Sequence, residues 1–317
     1  MPYNPAIHYN LAEIMANNKP ESRNENIENH KVCALILTWN SGESIHTSLP
    51  AISGQVDEVV VIDNGSRPDE LAVVENAVRN FKNAALIKNS RNEGVGGGFN
   101  SGAEYALRKG YGWIITLDDA ANPEKDLVKK LFAAYASLSP QDQEKTAVIA
   151  PNYTNLKGTV YPGKNPYFVP TTVQTGQLVK TSVWKTSGRY KEDLFVMWVD
   201  HEFCLRLLQA GYKILLVPDA VLEETAGPKP ILKSFLGRKF VVPNYSAARY
   251  YYMYRNSVYM YKTYWRLVPR WLLNNLMSEV MSFGKIVLFE DHKLRKIVSI
   301  VRGYFDGIRN KFGELTA

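Results

Sequence analysis

Lys31-Val-Cys-Ala-Leu-Ile-Leu-Thr38 followed by Trp39-Asn40-Ser41-Gly42 decides the fold: an apolar, β-rich run of strand length stops in a turn cluster that can also cap a helix. The same grammar recurs downstream. Glu58-Val-Val-Val-Ile62 ends in Asp63-Asn64-Gly65-Ser66, and a polar helix follows through about Phe81. Ala84-Ala-Leu-Ile-Lys88 precedes Asn89-Ser90-Arg91-Asn92-Glu93-Gly94-Val95-Gly96-Gly97-Gly98-Phe99-Asn100 and a helix through Lys109. Gly112-Trp-Ile-Ile-Thr-Leu117 then stops at Asp118-Asp119. Four strands alternating with helices predict an α/β, doubly wound, mainly parallel sheet of Rossmann type, whose ligands sit at the carboxyl ends of the strands.

Beyond Pro123 the pattern predicts an amphipathic helix to about Leu138, a strand at Ala147-Val-Ile-Ala150, and a further strand over Gln174-Thr175-Gly176-Gln177-Leu178-Val179. Glu202 to Gly211 reads as a helix closed by its glycine, and Tyr212 to Val217 as the strand after it. From about residue 246 the chain turns helical, aromatic and basic. Residues 1–30, rich in Asn, Glu and Pro without a period, predict a loosely held arm. The expected division is therefore an arm at 1–30, a catalytic domain over 31–245 and a helical extension over 246–317.

The 317 residues, 45% of them hydrophobic, suffice for one large core and an appendage. Cys33 and Cys204 sit in an apolar run and a helical pattern, which points away from a disulfide framework and toward a reducing cytoplasm. No stretch has the form of a signal peptide or approaches the roughly 20 apolar residues of a spanning helix. The net charge of +7 is uneven: from Lys229 onward there are 16 Lys+Arg against 5 Asp+Glu, with 22 against 26 before. Such a tail suits an anionic lipid surface or nucleic acid, and composition does not choose between them.

Carboxylates at the predicted strand and helix ends carry the chemistry. Asp63 closes a buried strand, where it either begins a turn or accepts from a pyrimidine N3–H. The Gly94–Gly98 cluster lets backbone approach a ligand and precedes a helix N-terminus, whose amides favour diphosphate; a plain flexible turn is the alternative. Asp118 and Asp119 are adjacent carboxylates that suit Mg²⁺ or Mn²⁺ arriving with a diphosphate, or else a polar turn. Asp200, at a helix mouth, either caps the helix or acts as general base toward a sugar hydroxyl, and Glu202 is one turn from Arg206, its expected partner.

Read as an ordered set, these residues resemble the inverting family 2 glycosyltransferases of GT-A fold, over about residues 31 to 265. Thr38-Trp39-Asn40, Val61 to Ser66, Asn92-Glu93-Gly94 through Asn100, Asp118-Asp119, Thr175-Gly176 and Asp200-x-Glu202-x-x-x-Arg206 occur in that family's order. Gly-Gly-Gly-Phe-Asn, the string Trp198 to Arg206, and Tyr254-Arg255-Asn256 are most similar to the rhamnosyl- and galactofuranosyltransferase branches of bacterial surface-polysaccharide assembly. The resemblance implies transfer from dTDP-rhamnose, or alternatively UDP-galactofuranose, to a glycan or lipid-linked acceptor.

By that likeness Thr38, Asn40, Asp63, Asn92, Gly94, Gly98 and Asp118 hold the nucleotide, and Asp200 is the base. Thr175, Gly176, Trp198, Glu202, Arg206 and Arg255 lie by the donor and acceptor. The metal falls to Asp118, Asp119 and a third Asp-x-Asp position. That third position is Ala120 here, and Glu224 stands where the family often has histidine. Alanine there is compatible with a metal-independent or inactivated variant, or with a silent sugar-nucleotide-binding protein. The tail, with Trp265, Trp271, Leu272, Leu273, Ile286 to Phe289 and Ile297 to Val301 among basic residues, is expected to lie peripherally on the inner face of the cell membrane; nucleic acid is the lesser candidate.

Overall fold

The computed structural model describes residues 30–155, 158–224, 231–235 and 238–315; the arm at 1–29 lies outside them. The strands are β1 (Val32–Thr38), β2 (Glu58–Asp63), β3 (Ala84–Lys88), β4 (Trp113–Asp118), β5 (Ala121–Pro123), β6 (Thr146–Asn155), β7 (Gly158–Thr159), β8 (Tyr167–Val169), β9 (Leu178–Lys180), β10 (Lys213–Glu224), β11 (Ile231–Phe235) and β12 (Arg238–Val242). The helices are α1 (Ile45–Ser53), α2 (Pro68–Arg79), α3 (Gly94–Arg108), α4 (Leu127–Ala136), α5 (Pro140–Lys145), α6 (Thr181–Ser187), α7 (Val199–Gln209), α8 (Ala247–Tyr264), α9 (Pro269–Phe289) and α10 (Lys293–Ile308).

Among the described residues the chain forms two compact units, one of 30–192 and 200–224, the other of 193–199 and 231–315. In the first unit a ten-stranded mixed sheet runs in the order β3-β2-β1-β4-β9-β6-β10-β5, with β7 on β6 and β8 on β10. Strands β3, β2, β1 and β4 are mutually parallel, as are β6 and β10, while β9 is antiparallel to both its neighbours. Cys33 to Ile36 and Val59 to Ile62 have no exposed surface, the continuous apolar reading of strands covered on both faces. In α1, Ile45, Leu49 and Ile52 repeat at helical spacing and pack into the core formed with β1 and β2.

Two sequence expectations change here. Gly94 to Gly98 do not precede a helix; the helix begins at Gly94, so the later glycines are buried in its first turns. A Cβ on Gly98 would stand 2.3 Å from Leu37 Cδ1, and one on Gly102 would stand 2.9 Å from Ile62 Cδ1. These glycines let α3 lie close on β1 and β2. Gln174 to Gln177 is likewise a turn rather than strand, and β9 starts at Leu178, because Thr116 Oγ1 donates to Gln174 O at 2.7 Å and Gly176 N–H to Thr116 O at 2.6 Å.

The second unit stacks α8, α9 and α10 with the β11–β12 hairpin. Its core is Tyr250, Met253, Tyr254, Ile286 and Ile300, so the dense aromatics of α8 are packing residues. Gly303 and Gly307 allow α10 to approach α8, since a Cβ on either would lie 2.5 Å from a backbone oxygen of Tyr251 or Arg255.

Candidate active site

Register places the ends of four parallel strands side by side. Thr38 pairs with Asp63, Asp63 with Lys88, and Leu37 with Asp118. The carboxyl ends of β3, β2, β1 and β4 therefore bring Asp63, Thr38 and Asp118 to one edge, where ligands of such sheets bind.

Asp63 is buried; its Oδ2 accepts from Ser66 N–H at 3.1 Å, and its Oδ1 has no hydrogen-bond partner. A buried carboxylate oxygen left unsatisfied costs free energy that a donor from a ligand would recover. Asn40, in the left-handed region at φ 52°, donates its N–H to Ser66 Oγ and accepts from Arg67 N–H, each at 2.9 Å, and so ties the β1 turn to the β2 turn.

The Asn89–Gly94 loop is pinned by Asn64, whose Nδ2 donates to Asn92 Oδ1 at 3.1 Å and to Gly94 O at 3.0 Å. Its Oδ1 accepts from Asn89 Nδ2 at 3.0 Å and Glu93 N–H at 3.2 Å. Sequence reasoning gave Asn64 no role. The one available signal was an amide, with two donors and two lone pairs, inside the Asp63–Ser66 turn. Asn92 Oδ1 also receives Gly94 N–H at 2.8 Å, so Asn92 and Gly94 shape this loop, and Gly98 serves helix packing.

At the end of β4, Asp118 N–H donates to Thr175 Oγ1 at 3.3 Å. The neighbouring turn residue places its N–H on Asp200: Gln174 N donates to Asp200 Oδ2 at 3.3 Å, and Asp200 Oδ1 takes its own helix's His201 N–H at 2.8 Å. Two successive residues of one turn thus reach Asp118 and Asp200. Gly176, at φ 84°, completes this turn, and a Cβ there would meet Pro151 Cγ at 2.5 Å. Behind Asp200, the buried Glu202 receives Arg206 Nε at 3.1 Å and Nη2 at 3.2 Å, while Arg206 also donates to Ser187 O and, at 2.7 Å, to Arg189 O. The forked pair fixes the Arg206 guanidinium, which anchors α7 to the end of α6 at Ser187 and to Arg189 just after it.

Trp198 and Arg255 belong to the other unit and are engaged there. Trp198 Nε1 donates to Met253 O at 2.9 Å, and the ring meets Trp271 edge-on. Arg255 is buried and donates to Gly313 O at 2.6 Å, Asp193 O at 3.1 Å and Leu194 O at 3.0 Å; burial lowers its pKa. Their geometry is that of residues holding the 193–198 segment rather than of sugar contacts.

The metal positions do not assemble. Asp119 turns its carboxylate onto Ser41 Oγ, and burial lifts its pKa above the ordinary carboxylate value against the lowering by hydrogen bonds from Ser41, Thr38 and Ala120 N–H. Ala120 brings a buried methyl. Glu224 pairs in register with Ala121, but its side chain lies outside the described residues. Among the described residues no three His, Cys, Asp or Glu side chains could enclose an ion, so the donor set does not fit a protein-made cation cage. Ala120→Asp is expected to raise Mn²⁺ affinity at least about tenfold while lowering the metal-free melting temperature, since a third carboxylate joins Asp118 and Asp119 at a buried position. Calorimetry and thermal melts with and without Mn²⁺ test this, and tight Mn²⁺ binding by the unaltered chain would refute it.

Residues 33–154 match the family model described as Glycosyl transferase family 2. They form a family 2 glycosyltransferase domain. The chain is 26% identical over 308 residues to dTDP-rhamnosyl transferase RfbF of Shigella flexneri, covering 90% of this chain and 98% of the relative. Its fold is that of the GT-A glycosyltransferases. TarS residues 1–349 of S. aureus superpose with a TM-score of 0.57 at 17% identity, covering 88% of this chain and 81% of that one. The mannosyltransferase PcManGT of Pyrobaculum calidifontis, solved with GDP-Man and Mn²⁺, gives 0.56 at 12% identity, with 95% and 93% covered.

Proposed function

We propose that this glycosyltransferase moves rhamnose from dTDP-rhamnose onto a glycan or lipid-linked acceptor with inversion at the anomeric carbon. The observation that carries the reading is the turn Gln174–Thr175, bonded to both Asp200 and Asp118. It supports a cleft in which the nucleotide lies along the strand ends and Asp200 faces the sugar. Likeness to RfbF over most of both chains supports the donor.

In this mechanism Asp200 takes the proton of an acceptor hydroxyl as its oxygen attacks the anomeric carbon from the face opposite the diphosphate. The bond from that carbon to the diphosphate oxygen breaks, and the electron pair leaves with the diphosphate. Gln174 N–H and the His201 amide hold the Asp200 carboxylate in place for this step. If a divalent cation arrives with the diphosphate, Asp118 would be the side chain placed to meet it, and the cation would offset charge on the leaving oxygens. The reaction belongs at the cytoplasmic face of a membrane, where a lipid-linked acceptor would lie and where the basic helical unit can dock.

Nucleotide recognition centres on Asp63, whose unpartnered Oδ1 accepts the pyrimidine N3–H. Asp63→Ala is expected to weaken dTDP and UDP binding by about 10- to 100-fold, the worth of one hydrogen bond to a charged group. Calorimetry with dTDP, UDP and GDP reads this; equal affinities in the variant and the parent would remove Asp63 from the base site. The reaction itself is tested by incubating the chain with dTDP-rhamnose and UDP-galactofuranose and following dTDP or UDP release, which a silent binding protein would not produce.

A further inference from the structure

Helix α10 is amphipathic with its polarity reversed. The side turned to α8 carries Gly303, Gly307, Ile300 and the buried Lys296, whose ammonium is satisfied by Glu290 Oε2 at 2.8 Å and Asn244. Leu294, Val298, Val301, Phe305 and Ile308 repeat at i, i+4, i+7, i+11 and i+14 on the opposite face, where they are 47% to 77% exposed. Large apolar side chains so arranged on a helix surface mark an interaction site, since isolated exposed ones are ordinary and a continuous stripe is not.

Charge selects the partner. Arg295, Arg302 and Arg309 follow one another at seven-residue intervals and line one border of the stripe, all exposed. Met277, Val280, Met281 and Leu288 of α9, in the same unit, are exposed as well. A second copy of this face would oppose arginine to arginine, whereas an anionic bilayer pairs with the border while the stripe enters the acyl boundary. No described helix is long and apolar enough to cross a membrane, so the mode is interfacial.

We propose that the Leu294–Ile308 stripe of α10, with Arg295, Arg302 and Arg309 along its border, is the face that lies in the surface of an anionic lipid bilayer. The inference rests on the peripheral location proposed above and assigns it to residues. It also redistributes the sequence expectation: Trp271, Leu272, Ile286 and Ile300 are buried core, and Val298 and Val301 face outward.

The test is flotation of the full chain with vesicles of phosphatidylcholine alone and with phosphatidylglycerol added, alongside sedimentation of the lipid-free chain. The expected result is co-flotation with the anionic vesicles and not the neutral ones. Val298→Asp/Phe305→Asp, at exposed positions, should abolish it at unchanged melting temperature. Arg295→Gln/Arg309→Gln should weaken partitioning about 25-fold, from about 1 kcal/mol for each arginine. If the parent chain does not float, the peripheral location itself fails. If it floats and Val298→Asp/Phe305→Asp floats equally, the location stands and this face is overturned. Self-association of the lipid-free chain that the same double variant dissolves would give the stripe to a second copy and overturn the proposal too.

Discussion

Asp200→Asn is expected to lower kcat by about 10²- to 10⁴-fold, the usual worth of a positioned general base, while dTDP affinity stays within about twofold. The substitution is conservative for the structure. Asp200 Oδ2 accepts one backbone N–H, from Gln174, and Oδ1 accepts another, from His201. An asparagine keeps an oxygen for one of them and loses the other, at a cost in stability of about 1 kcal/mol. It loses all capacity to receive a proton in the transition state. A fall confined to kcat, with KM for the donor nearly unchanged, is the signature of an interaction made in the transition state alone. Glu202→Gln supplies the contrast: Glu202 grips Arg206 behind the helix, so its variant should lower melting temperature before it lowers turnover. Near-normal kcat for Asp200→Asn would sink the assignment of the base, and a matched loss of dTDP affinity would point to a misfolded site instead.

Much of this arrangement can be read from the chain before any coordinates. The apolar runs ending at Thr38, Asp63 and Asp118 are strands buried on both faces, the half-buried run ending at Lys88 is the sheet's edge strand, and all four are continuous enough in sequence for their ends to be located within a residue. Once the strands are parallel and adjacent, the residues at their ends must meet, so Thr38, Asp63 and Asp118 followed from local pattern plus topology.

What failed depended on which surfaces touch. The glycines at 94–98 look like a loop because glycine weakens a helix, yet the close packing of Gly98 on Leu37 outweighs that cost. Gln174 to Gln177 has β-prone neighbours, and only the bonds to Thr116 and Asp118 fold it into a turn. Arg255 carries the look of a ligand residue, but the carbonyls that absorb it lie some 60 positions away in sequence. The apolar run Ile297 to Val301 among basic residues pointed to a surface helix without saying which side meets the protein. The signal that would have said so was the pair Gly303 and Gly307, four apart, marking the side of close helix approach.

The helical unit should lose stability as pH rises from about 4.5 to 7, and Glu279→Gln should remove that loss. Glu279 is buried on α9, and burial pushes its pKa up to about 7, opposed by the hydroxyls of Ser257, Tyr261 and Tyr304. Tyr304 OH donates to Oε2 at 3.1 Å, whereas Oε1 has no hydrogen-bond partner. The pKa in the folded chain lies above the ordinary value of 4.5, so between the two pH values the native state holds a proton that the unfolded chain has released. Stability is therefore complete below pH 4.5, declines through the interval and levels off above 7, with a total loss of about 3 kcal/mol at 1.36 kcal/mol per unit. A neutral glutamine has the shape of the protonated acid. Glu279→Gln should match the parent near pH 4.5 and exceed it by about that amount at pH 8.5 in urea titrations. The buried Asp119, also shifted upward, adds a slope of the same sign that the variant retains, and Asp119→Asn isolates it. Parallel pH profiles for the parent and Glu279→Gln would show that Glu279 is ionised in the native state at neutral pH and that the pocket around it is open to water.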